Sequence, residues 1–209
     1  IAKKRSALKH LQDQFRERET GKTYLALVVG PWPANKKVLD KPLHKFLLEG
    51  REGSPGAGER RVKVVSRDDP DGMKSVTLVK ISPLNARPTP NQSPYPAEPG
   101  AVSAPPAKAG KAEKDFTLLE VTIKTGRTHQ IRVHLAAEGH PIAGDDKYGD
   151  FELNKALQRT GRGAALKRMF LHAWQLQFNH PASGERVALL APLPSELQDF
   201  LSHVALPKP

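Results

Sequence analysis

The chain has 209 residues, with 33 lysines and arginines against 22 acids and a formal charge of +11. That length fits one domain with a sizeable core, and the excess charge favours a polyanion as partner: RNA, DNA or an anionic membrane surface. There is no cysteine, which excludes disulfides, thiolate nucleophiles and cysteine-ligated zinc. Apolar stretches such as Tyr24–Val29 and Val187–Leu190 are far too short to span a bilayer, so no membrane partner is expected. The opening IAKKRSAL carries no secretory pattern. With the lack of cysteine it suits a cytoplasmic protein, and Ile1 reads as a cut inside a longer chain.

In chain order, Ser6 to about Glu19 predicts a helix with Leu8, Leu11 and Phe15 on one face, Ser6 as its cap and Gly21 at its end. KTYLALVVG then reads as a buried strand, with Tyr24, Ala26 and Val28 on one side and Leu25, Leu27 and Val29 on the other. Residues 51–60 form a turn-rich loop, followed by strand candidates RRVKVVS and SVTLVKI. From Ile81 to Gly110 the chain is rich in Pro, Ala, Ser and Asn and cannot bury enough apolar surface to offset the entropy of ordering it. A flexible Pro-rich insertion at about 82–113 is therefore expected. FTLLEVTIK, residues 116–124, predicts a strand, and Thr128 to Glu138 a helix that stops at Gly139 and Pro141. WQLQFNHPASGERVALLAP predicts a hairpin turning at Pro181 to Gly184. Ser195 and Gln198 match a capping box for a last helix burying Leu197, Leu201 and Val204. Strands and helices mixed without a βαβ repeat indicate an α+β domain.

The segment TGRTHQIRVHLAAEGHP, Thr125 to Pro141, is the most loaded with chemistry. His129 and His134 are five residues apart, which on a helix separates them by about 140°, so they do not form the one-sided pair of a zinc helix. No metal site is expected. Arg127 and Arg132 near the start of the helix suit an anion instead, because first-turn amides carry partial positive charge and arginine can grip a carboxylate or phosphate with two bonds. Composition and spacing lead to a basic α+β domain that binds nucleic acid.

GRTHQIRVHLAAEGHPIAGDDKYG closely resembles the signature of the RluA family of pseudouridine synthases, its RluC-like members in particular. AKKRSAL, KTYLALVVGPW, MFLHAWQLQFNHP and SGERVALLAPLP match further family segments in the same order. The resemblance implies a largely antiparallel mixed sheet with flanking helices and a basic cleft, spanning residues 1–209. It also implies a cofactor-free isomerisation of chosen uridines, with large-subunit ribosomal RNA as partner. Tyr24 matches the family tyrosine that stacks on the target base. Arg132 matches the arginine that pairs with the nucleophilic aspartate, and a cation within about 4–6 Å typically lowers a carboxylate pKa by roughly 1–3 units. Leu171 matches an apolar residue beside the pocket, while Arg127, His129 and Gln130 are expected substrate contacts.

The family's aspartate lies in an H-R-L-D-x-x-T-S-G string just before the AKKRSAL segment, and no such string occurs in these 209 residues. The expectation is a catalytically incomplete chain, with an S4-like RNA-binding domain also preceding it in relatives of this type. Asp145 and Asp146 belong to the GHPIAGDDKYG loop and are expected to be structural. The rival from another class is a non-catalytic RNA-binding or ribosome-assembly module on the same scaffold. A DNA-binding protein lacks a recognition helix or zinc signature here. A monomer is the simplest assembly.

Overall fold

The computed structural model describes residues 1–48, 59–85, 115–159, 165–204 and 206. Eight strands carry the fold: β1 (Gly21–Val29), β2 (Val38–Asp40), β3 (Leu43–Leu47), β4 (Arg60–Val64), β5 (Val76–Ile81), β6 (Phe116–Ile123), β7 (Leu171–Asn179) and β8 (Arg186–Leu190). Six of them form one antiparallel sheet in the order β2-β5-β6-β1-β7-β8, and β3 and β4 pair as a separate ribbon. The helices are α1 (Arg5–Arg16), α2 (Gln130–Ala137), α3 (Phe151–Arg159) and α4 (Ser195–His203). This is the expected α+β domain with a largely antiparallel sheet.

β1 is central because both of its faces are apolar. Leu25, Leu27 and Val29 join Phe116, Leu118 and Phe170 on one side, where Leu157 of α3 and Leu197 and Phe200 of α4 cover them. Tyr24, Ala26 and Val28 join Leu119 and Val121 on the other, under Ile131 and Leu135 of α2. The alternation read from KTYLALVVG is therefore the division between the two cores. Val133, on another side of α2, packs with Leu43 and Val62 of the ribbon. The helix is thus wedged between sheet and ribbon, and its buried residues are Gln130, Ile131, Val133, His134 and Leu135. Gly139 ends it with φ +83, and its amide and that of His140 take up the last carbonyls.

Several expectations change. Helix α1 buries Gln14 rather than its apolar residues: Leu8 and Phe15 are 47% and 43% exposed. The Gln14 amide instead clasps the backbone of Asn179, donating to its carbonyl at 2.8 Å and accepting from its amide at 2.7 Å. The helix starts after Lys4, not at a Ser6 cap, and the left-handed turn that ends it belongs to Arg18, while Gly21 opens β1. At α4 no capping box forms, since Pro194 precedes the helix and the Gln198 side chain turns back to the Leu193 carbonyl. Phe200 fills the core there, with Leu201 and Val204 only partly buried. The hairpin turn stands as read, with Gly184 at φ +73.

Strands β2 and β3 and helix α3 lie in segments that the sequence reading left unassigned. The first residues of the expected insertion belong to the fold. Ser82 and Asn85 are buried, and the Asn85 side chain bonds both the carbonyl and the amide of Leu118 in β6. The remainder of the insertion, and most of the 51–60 loop, lie outside the described residues.

Candidate functional site

Arg132 enters the site from the third position of α2. Its Nε donates to Asp145 Oδ2 at 2.8 Å and its Nη2 to Asp145 Oδ1 at 2.6 Å, with a further bond from Nη2 to Asp146 Oδ1 at 3.0 Å. The guanidinium lies 5.1 Å from the centre of the Tyr148 ring, within the range of a cation–π contact. Asp145 is fully buried, whereas Asp146 is exposed. Burial works against the Asp145 carboxylate, but Arg132 and the amides of Tyr148 and Lys147 outweigh it and hold its pKa below the usual range.

The loop carrying Asp145 is tied on two sides. Asn154 of α3 donates to the Asp145 carbonyl and accepts from the Gly144 amide, each at 2.8 Å. From the ribbon, Arg61 donates to the Lys147 carbonyl at 2.8 Å, and the Val62 amide donates to the Tyr148 hydroxyl at 3.0 Å. The Tyr148 hydroxyl also shares a hydrogen bond with His129 Nδ1 at 3.0 Å. His129 sits just before α2 in the left-handed region, φ 51. Burial, then the charges of Arg132 and Lys147, push its pKa down.

Of the expected substrate contacts, Gln130 is 3% exposed and fully engaged. Its oxygen accepts from Thr125 Oγ1 and the Arg127 amide, and its nitrogen donates to the Val76 carbonyl and Thr77 Oγ1. It braces β5 against α2. The helix starts at Gln130 rather than Thr128 and has no side-chain cap, and the Arg127 amide bound by Gln130 lies before its first turn. Arg127 lies at the surface, with Nε donating to the Lys74 carbonyl at 3.3 Å. Tyr24 is half-buried on β1 beside a bulge in its pairing with β7, and burial raises its hydroxyl pKa. Leu171 packs on the same sheet face as Tyr24 and the apolar side of α2.

His134 is fully buried. It accepts from Thr77 Oγ1 at Nδ1 and donates from Nε2 to the Lys41 carbonyl, both at 2.9 Å. Gln130 donates to the same Thr77 oxygen. Burial lowers the His134 pKa from the usual 6.5. A depressed folded pKa gives stability that is complete above the unfolded value and is lost as pH falls through the folded one. The melting temperature is therefore expected to fall as pH drops below 6.5, and His134→Gln should flatten that decline. A flat wild-type profile over this range would contradict the assignment.

A cleft of about 550 Å³ opens where β1 begins and β6 ends. Arg16, Arg18, Lys22, Lys124, Arg127 and Arg186 line it, with Glu19 as its acid. Lys22 is two residues from Tyr24 along β1. Among the described residues, one His/Asp/Glu cluster has metal-ligand spacing, His44 with Asp69 and Asp71. His44 Nδ1 lies 3.8 Å from Asp69 Oδ1, and we assign the cluster no metal.

Residues 1–137 match the RNA pseudouridylate synthase family. The chain belongs to that family. It is 38% identical over 201 residues to ribosomal large subunit pseudouridine synthase C of Salmonella typhimurium, covering 96% of this chain and 50% of that protein. To the same-named proteins of Vibrio cholerae and Escherichia coli K12 it is 37% and 38% identical over 204 residues, covering 98% of this chain in each case and 50% and 51% of those proteins. The chain thus spans about half the length of the curated relatives it matches. The fold is similar to that of human RNA Pseudouridylate Synthase Domain Containing 1, with a TM-score of 0.58, 24% identity, and coverage of 93% of this chain and 63% of that one. Within the pseudouridylate synthase fold seen here, Asp145, Tyr148 and Asn154 surround or support the arginine, yet none was singled out for that role from the sequence.

Proposed function

We propose that this chain is the larger part of the catalytic domain of an RNA pseudouridine synthase acting in the cytoplasm, as a monomer, on uridines of large-subunit ribosomal RNA. One observation carries the reading. The arginine of the family signature is held rigidly on α2, and that helix packs on the same sheet face as Tyr24 and Leu171. In this reading a carboxylate attacks the target nucleoside, the glycosidic bond breaks, and the uracil turns and rejoins the ribose through C5, which loses its proton. Nothing is oxidised or reduced, so no cofactor is required. Arg132 keeps the attacking carboxylate ionised, and Tyr24, neutral near pH 7, stacks on the displaced base. Such stacking is typically worth roughly 1–3 kcal/mol and offsets part of the cost of flipping.

The nucleophile is assigned to a residue outside these 209, in the family's H-R-L-D string, because Asp145 is fully buried and engaged by Arg132 and two amides. The decisive assay is tritium release from 5-tritiated uridine in unmodified 23S rRNA, by a protein of the relatives' full length beside the 209-residue chain. Release by the long form alone is expected. Turnover by the short chain would sink the upstream assignment, and RNA binding without release by the long form would favour a binding module.

The six cations of the cleft are assigned to phosphates of the strand that leads to Tyr24. For single strands the slope of log K against log salt is about −0.7 per phosphate contact. Arg18→Ala with Lys124→Ala should therefore make the slope shallower by about 1.4. An unchanged slope would move the RNA elsewhere.

A further inference from the structure

Arg132 presents five N–H donors, and the fold engages the three on Nε and Nη2. The Nε–Nη2 edge is occupied by the buried Asp145 carboxylate, and Asp146 takes the other proton of Nη2. Nη1 donates to no described residue. Below the guanidinium lies the Tyr148 ring, itself held through its hydroxyl by the Val62 amide. Asp145 cannot swing to accommodate the arginine, since Oδ1 also accepts from the amides of Lys147 and Tyr148 at 2.9 and 3.0 Å. Its carbonyl is fixed by Asn154 and lies where a side chain on residue 149 would need to go, 2.2 Å from a Cβ there, so only glycine fits. A surface ion pair would need none of this support.

We propose that Asp145 is a positioning residue for the isomerisation: it aims the Nη1 edge of Arg132 at the nucleophilic carboxylate and offsets part of the arginine's charge there. The inference rests on the proposed synthase activity. Two carboxylates sharing one guanidinium are electrostatically coupled, so removing one changes how readily the other ionises. The other charged or titratable groups around the pair are Asp146, His129, Lys147 and Tyr148, with Glu59, just before β4, and Arg61 of β4 reaching Lys147.

The test is Asp145→Asn in a protein of the relatives' full length, with kcat and KM for rRNA followed across pH. The carboxamide offers one acceptor and turns its NH₂ toward a guanidinium N–H. We expect kcat to fall tenfold or more with KM within threefold, and the acid limb of the kcat profile to move to lower pH because a negative charge beside the nucleophile has gone. An unmoved acid limb, or a loss of activity that only follows the loss of folded protein, would reduce Asp145 to a structural role and overturn the proposal. Should the Asn variant fail to fold, Asp146→Asn provides the second arm. Asp146 is 80% exposed and touches the same Nη2, so a smaller shift of the limb in the same direction is expected, and none would count against the coupling. A wild-type long form that releases no tritium would instead remove the activity on which the inference rests.

Discussion

Arg132→Ala is expected to abolish pseudouridine formation by the full-length protein while RNA affinity stays within a few fold, and also to cost the fold dearly. The second effect follows from Asp145. Its side chain is fully buried, and Arg132 is 12% exposed. Removing one member of a buried pair typically costs about 3–5 kcal/mol, because the remaining charge is left without its partner. Two backbone amides still reach Asp145 Oδ1, so the lower figure, about 3 kcal/mol, is the better expectation. For a chain of this length that corresponds to a fall in melting temperature of about 6–12 °C, readable by calorimetry. The pair contributes stability above the usual carboxylate pKa of 3.8 and loses it as pH falls through the lower folded value. The gap between wild type and variant should accordingly narrow in acid. A drop under about 2 °C near neutrality would mean that the pair is inert. Activity should therefore be compared at a temperature where both proteins are folded.

The second large effect is expected at Gly144. Its φ of +78 lies in the left-handed region, and a Cβ there would stand 2.3 Å from the Arg168 carbonyl oxygen. That carbonyl is backbone, in a segment where Phe170 donates to Ala143 and Ala143 to Leu27, so neither side can yield cheaply. Gly144→Ala combines a left-handed alanine, about 1–2 kcal/mol, with overpacking, about 1–3 kcal/mol. The sum is a large part of an ordinary domain's stability of about 5–15 kcal/mol. Two other glycines calibrate the measurement. Gly139→Ala meets nothing within 4 Å but keeps φ +83, and Gly126→Ala meets nothing and has no such φ. Urea midpoints should fall in the order Gly126→Ala, Gly139→Ala, Gly144→Ala, with the first near wild type. A Gly144 variant as stable as the Gly126 one would refute the close approach.

What the sequence disclosed depended on how local the cause was. The faces of β1 were legible because strand alternation is a property of nine adjacent residues, and the end of α2 because Gly139 and Pro141 are local stops. The start of α2 was misjudged by two residues, since Gln130 turns its side chain back on Arg127 and His129 takes a left-handed conformation. Helix α1 misled more deeply. Its apolar stripe predicted burial of Leu8 and Phe15, but the decisive contact is an amide clasp between Gln14 and Asn179, 165 residues apart, which no periodicity reveals. The site divided in the same way. Arg132 stood out within its motif, and the role of Asp145 did not, because thirteen residues and a change of element separate them. The sequence reading of the aspartate pair stopped at a structural loop. What it missed is that the structure being held is the arginine.

The place of β1 in the sheet also sets a schedule for biosynthesis. Its neighbours are β6, where Thr23 faces Thr122, and β7, where Gly21 faces Gln177. The central strand thus leaves the ribosome well before its partners, which follow roughly a hundred and a hundred and fifty residues downstream. Topologies with such distant pairings close slowly. Until Asn179 has emerged, Leu25, Leu27 and Val28 have one strand at most to shelter beside, and an unpaired strand of that composition is prone to associate with others like it. Nascent chains stalled short of that point should depend heavily on chaperones, whereas chains released beyond it can complete the sheet alone.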